Sequence, residues 1–388
     1  MNRDAIVAAL LIGVAGCAQS TSIARVAAPI QERADEQIIT PNESLSRREL
    51  VVRARRATAE GRWRDAVGLL EIWRAAVRFD EEAKDEDTAS LFFELAVAYE
   101  GAGDRERARD EYHEVASRFP ASRDARTALL RASALHADME EWGPLGETAE
   151  VLLARTDLDA VDHMTAIGAR ALSRVEAGDD VLAMRDVQNG LDEMESIGFG
   201  ATGKLPPAAA QLRFALAEVR RVRSERIGFV PISSDFLAKI EARCQGLLDA
   251  QNAYADTMRS IDPHWAAMSG YHVGAMYRAL HRELMAIPPT AQAKSDSDKR
   301  LFFAMMHMRY RALLEKGLEM MKRTSAFGSK NPEVLPWAAK AEQARADMEQ
   351  DLLEEKAMMA TFPYSEETVQ KALDILEERA LAKASPSR

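Results

Sequence analysis

Residues 91–120 read LFFELAVAYEGAGDRERARDEYHEVASRFP, and the spacing of small and large apolar residues within them decides the fold. Leu95, Ala96 and Tyr99 share one face of a helix, Ala108, Tyr112 and Val115 share one face of the next, and Gly103-Asp104 parts them. Ala96 and Ala108 end at Cβ, so two antiparallel helices can approach closely there. Tyr99 and Tyr112 then fill the space beyond, and Pro120 stops the second helix.

Working outward, the same turn recurs. Gly61-Arg62-Trp63-Arg64-Asp65-Ala66 precedes it, and Glu140-Glu141-Trp142-Gly143-Pro144-Leu145 and Gly178-Asp179-Asp180-Val181-Leu182-Ala183 follow. Turn residues 61, 103, 140 and 178 are 42, 37 and 38 positions apart. A steady period with a turn residue and a small or apolar residue five positions later is the mark of a helical solenoid. The third unit puts Glu140 where the others have glycine, and Pro144 near the start of its second helix, where proline is tolerated.

These units resemble the tetratricopeptide repeat. The second matches best, with Leu95, Ala96, Tyr99, Gly103, Ala108, Tyr112, Val115 and Pro120 at that family's packing positions, and the first matches at Gly61, Ala66 and Leu70. The resemblance covers residues 46–197 as about four hairpins. Ser46-Arg47-Arg48-Glu49 has the form of a capping box and opens the first. It implies that the first helix of each unit lines a concave strip, carrying Phe93 and Val97, then Leu130, Ala134 and Ala137, then Leu172 and Val175. Such a strip either binds an amphipathic helix or extended segment of another protein or is filled by this chain's own C-terminal helices.

Beyond a loop over 196–207 the period lapses, but helical patterning continues at about 208–227, 235–260, 263–286, 298–324, 335–360 and 366–383. Asp262-Pro263 reads as a helix cap followed by proline at the first helical position. The expected architecture is all-α: a tetratricopeptide-like hairpin solenoid over 46–197, then a second long-helix domain over 207–384. Composition agrees. Aromatic residues are 6% of the chain, and no β-branched runs are punctuated by Asn-Gly or Asp-Gly turns.

The N-terminus speaks to location. Arg3 precedes an uncharged run from Ala5 to Val14, too short to span a bilayer, and Val14-Ala15-Gly16-Cys17 reads as a lipobox. Residues 1–17 thus resemble a bacterial lipoprotein signal peptide, which implies acylation (palmitate or a similar chain) at Cys17. Each buried methylene is worth roughly 0.8 kcal/mol, so two or three chains would anchor the protein stably. Ala18 after the cysteine implies the outer membrane, with the protein probing the periplasm or the cell surface. Residues 18–45 read as a flexible tether with an end-to-end reach of roughly 30 Å.

Little in the chain points to chemistry. Gly198-Phe199-Gly200-Ala201-Thr202-Gly203-Lys204 matches two phosphate-loop patterns, but a helix precedes it, Leu205 stands where a Ser/Thr would hold magnesium, and Pro206-Pro207 follows. His264, His272 and His281 lie eight and nine residues apart, off metal-ligand spacing, and H-E-x-x-H, C-x-x-C and G-x-S-x-G are absent. Cys244 reads as a small buried apolar residue. The net charge of −11 disfavours nucleic acid. The expectation is a non-enzymatic scaffold without cofactor or small-molecule substrate. It would bind other envelope proteins in an outer-membrane assembly, secretin or motility complex. A small-ligand or copper-binding lipoprotein is the alternative, resting on Met305, Met306, His307, Met308, Met320 and Met321, although Phe302, Met305 and Met308 also fall three apart, as on a buried helix face.

Overall fold

The computed structural model describes residues 45–77, 86–199, 207–232, 235–259, 262–289, 293–331 and 334–384. The expected signal peptide, Cys17 and nearly all of the tether lie outside them. The described residues hold fourteen helices and no strand. Four hairpins come first: α1 (Arg47–Ala59) with α2 (Trp63–Val77), α3 (Glu86–Gly101) with α4 (Arg105–Arg118), α5 (Arg123–Asp138) with α6 (Trp142–Leu153), and α7 (Ala160–Glu176) with α8 (Asp180–Ser196). Longer helices follow: α9 (Pro207–Glu225), α10 (Phe236–Met258), α11 (Pro263–Met285), α12 (Asp296–Gly328), α13 (Leu335–Ala360) and α14 (Glu366–Ala384).

The hairpin turns share one backbone solution. Gly61, Gly103, Glu140 and Gly178 have φ of +72°, +83°, +59° and +88°. Each follows the first helix of its pair, and the amide after it donates back to a carbonyl five residues earlier, as Asp104 N does to Tyr99 O at 2.9 Å. Side chains then start the second helices. Asp104 accepts from Arg107 N and Asp179 from Leu182 N, and Ser46 closes a full capping box with Glu49 at the head of α1.

Inside the hairpins Ala66, Leu95, Ala96, Ala108 and Tyr112 are fully buried and Tyr99 nearly so, while Pro120 is exposed just past the end of α4. Phe119, which carried no weight in the sequence, is buried against Phe92. Buried carboxylates tie the helices of a pair together. Asp186 on α8 accepts from Arg170 (2.9 Å) and Arg174 (2.6 Å), both on α7.

From Ser46 onward the chain is one compact unit, so the expected division near 197–207 is not a gap in the packing. The reason lies in two glycines. Leu212 of α9 is wedged onto Gly168 of α7 and Gly190 of α8, where any side chain would collide with it. One continuous core then runs from Ala137 through α7, α9, α10 and α11 to Trp337. Helices α11 and α12 cross closely at Gly274 and Gly317, each facing the other's carbonyl oxygen. The expected start of α12 at 298 moves to Asp296, because Ser295 and Asp298 form a second capping box.

The stack also closes back on itself. Trp337 Nε1, near the start of α13, donates to Asp138 Oδ1 at the end of α5 (2.9 Å), and His264 Nδ1 lies 3.2 Å from the same atom. Arg105 from the head of α4 holds the other carboxylate oxygen, and Lys340 pairs with Glu140. One nearly buried carboxylate thus joins four helices.

Candidate protein-binding groove

The first helices of the early hairpins, α1, α3 and α5, present their free faces side by side. Phe93, Val97 and Leu130 are half-buried there and Ala134 is exposed. Phe93 leans on the Tyr112 ring at 5.5 Å, which fixes its direction without covering it. Ion pairs step from one helix to the next along this strip: Arg55 to Glu94 at 2.8 Å, then Glu100 to Arg131 at 2.8 Å, with Tyr112 OH donating to Glu100 at 2.6 Å. Such exposed pairs each add about 0–1 kcal/mol to stability. Their larger effect is to frame a short apolar strip with paired charges of both signs.

The strip stops at the third hairpin. Ala137, Leu172 and Val175, expected to line it, are instead fully or almost fully buried in the core shared with α9–α11 and Trp337. The register explains why. The position that carries Phe93 in the second unit and Leu130 in the third carries Gly168 in the fourth. A Cβ at Gly168 would come within 2.9 Å of the Leu212 backbone nitrogen, so α9 occupies what would have been groove. The glycine itself was the available signal.

A buried polar network fills the space beside this seal. Glu218 of α9 is wholly buried and accepts from Tyr254 OH, from Arg221 (Nη2 at 2.5 Å) and from His272 (Nδ1 at 2.8 Å). Burial pushes its carboxyl up, but the charges of His272 and Arg221 and the hydrogen bonds of His272 and Tyr254 outweigh that and hold it well below the ordinary carboxylate range. Glu176, at the end of α7, goes the other way. Burial, then the negative field of Glu218 and a hydrogen bond with it, push Glu176 up to about 7. Phe214 packs on His272 at 5.2 Å and on Trp265 at 5.2 Å, covering the His272 side of the network.

The remaining candidates sort into the core. His264, His272 and His281 on α11 do not converge; each meets a carboxylate from a different helix, Asp138, Glu218 and Glu355. His307 is buried with Nδ1 2.8 Å from Glu355, and Met305, Met306 and Met308 are half-buried around it. Met306 and Met320 pack on the main core, and Met321 is buried in the small cluster with Met348. Met306, Met320 and Met321 therefore act as core filler on α12. Cys244 is partly buried, and burial raises its thiol pKa. Gly198 closes α8 with φ +71°, and residues 200–204 of the glycine-rich run lie outside the described residues.

No family model matches the chain, and no curated protein matches it. Among solved structures it is similar to a tetratricopeptide repeat protein from Parabacteroides merdae, with 12% identity and a TM-score of 0.39 over 76% of this chain and 98% of that one.

Proposed function

We propose that this protein is a lipid-anchored scaffold of the bacterial outer membrane that holds another envelope protein against the open strip of its first three hairpins. The observation that carries this reading is the contrast within one concave face. Beyond Gly168 the chain fills the groove itself, whereas Phe93, Val97, Leu130 and Ala134 keep accessible apolar surface within a frame of ion pairs. The fitting occupant is a short amphipathic segment with two or three apolar anchors, seated by side-chain burial and oriented by the flanking Arg55–Glu94 and Glu100–Arg131 pairs. The lipobox at residues 14–17 supports the anchored location, with the envelope assembly left to the partner that is recovered.

Crosslinked cells and a pull-down on the full chain test the groove. Phe93→Asp with Leu130→Asp is expected to abolish capture of the partner while circular dichroism and melting stay close to wild type, since both side chains already contact water. Undiminished capture by a folded double variant would remove the groove from the mechanism. Anchoring is tested separately. Cys17→Ala is expected to accumulate as unprocessed precursor and to leave the outer-membrane fraction, and processing identical to wild type would end the lipoprotein reading.

A further inference from the structure

Two imidazoles meet where the second hairpin packs on the third. His113 of α4 and His136 of α5 turn their Nε2 atoms toward each other at 2.7 Å, with ring centroids 5.0 Å apart. His136 is buried, and its other nitrogen, Nδ1, lies 2.7 Å from Glu141 Oε2; Glu141 is held in turn by Arg109. A carboxylate on Nδ1 keeps the proton there and leaves Nε2 with its lone pair outward. This is the arrangement by which proteins orient a metal-binding histidine.

We propose that His113 and His136 form a binding site for one imidazole-seeking divalent transition ion of the Zn2+ or Cu2+ class. The ion would sit between the two Nε2 atoms, with its remaining positions open to water on the half-buried His113 side. Without an ion, His113 Nε2–H donates to His136 Nε2. With one, the His113 proton moves to its own Nδ1, so both Nε2 lone pairs face the metal and no net proton is released. Bonds of about 2.0–2.1 Å in tetrahedral geometry need the two nitrogens roughly 3.4 Å apart. His113 can supply that movement by rotating on the surface of α4, while His136 stays clamped by Glu141. Both rings favour the neutral, ligating form: burial lowers each, and for His113 the neighbouring His136 and Arg109 lower it further. The charged groups facing the pair are Arg109, Asp110 and Glu141. The pair escapes a spacing search because its members are 23 residues apart on different helices. Among the described residues no set of three or more His, Cys, Asp or Glu converges on a metal position, so two protein ligands define this site.

Isothermal titration of the untagged full chain with ZnCl2 tests the site, with nitrogen NMR of the histidine rings as a second readout. Wild type is expected to bind one Zn2+, with the His113 and His136 signals moving together and the melting temperature rising with zinc concentration. His113→Ala and His136→Ala should each weaken that binding more than tenfold, and Glu141→Gln by roughly 10–100-fold. Because His136 is buried and its removal could unfold the hairpin, the half-exposed His113→Ala variant decides the matter. Zinc affinity unchanged in folded His113→Ala, or no saturable binding to wild type, overturns the proposal. So does a bound ion that shifts other histidines and leaves these two unmoved.

Discussion

Gly168→Leu is expected to lower stability by about 3 kcal/mol or more, at the top of the range for overpacking a closed core. The new side chain would point into the backbone of α9 at Leu212 rather than into a flexible neighbour. Relief then requires α9 to lift off α7, which exposes the core around Leu172 and Val175. Gly68→Ala is the matched control. It lies inside α2 with open space around it, and alanine there should be neutral or add up to about 1 kcal/mol of helix stability. Urea denaturation of the pair measures both. An unchanged midpoint for Gly168→Leu would mean that α9 does not cover the groove.

Removing the buried carboxylate should be comparably severe. Glu218→Ala leaves Arg221, Tyr254 OH and His272 without their shared acceptor, and breaking such a buried network typically costs 3–5 kcal/mol, on the order of a third of a domain's stability. The pH dependence separates the two glutamates. Glu218 has a folded pKa below its ordinary value of 4.5, so its contribution is complete above that pH and is lost as pH falls further. Glu176 is raised to about 7, so its contribution is complete below 4.5 and is lost as pH rises through 7. Wild-type melting temperature should therefore fall between pH 4.5 and 7 on account of Glu176, and Glu176→Gln should flatten that limb. In Glu218→Ala the same limb should shrink, because the repulsion that helps raise Glu176 is gone. A Glu176→Gln variant with an undiminished slope would assign the limb to other groups.

Local chemistry made the hairpins legible. Gly61, Gly103, Glu140 and Gly178 recur in the sequence because the same left-handed turn needs a tolerant residue at the same position. Asp262-Pro263 likewise marks a helix start. α12 starts two residues before the position its patterning predicts because its capping box uses aspartate, Asp298, at the third position. The groove was only half legible. Periodicity puts Phe93, Leu130 and Leu172 on equivalent faces, but which face stays open depends on a helix arriving from elsewhere in the chain. Gly168 was the trace of that arrival. The bonds from Trp337 and His264 to Asp138, and the meeting of His113 with His136, left no trace, since no local pattern encodes a contact between distant helices.

The bonds converging on Asp138 also bear on how this chain folds. In an open solenoid each repeat touches only its neighbours, so units can fray, be lost or be duplicated almost independently. Here Trp337 and Asp138 are 199 residues apart and must find each other across most of the folded stack. That closure carries a loop-entropy cost, and it raises the mean sequence separation of contacts. Unfolding should accordingly be one concerted event for the helices tied to Asp138, α4, α5, α11 and α13, with the first hairpin freer to fray. Lengthening this protein by inserting a repeat between α5 and α13 would pull Trp337 off Asp138, so its unit number is fixed by geometry in a way that an open array's is not.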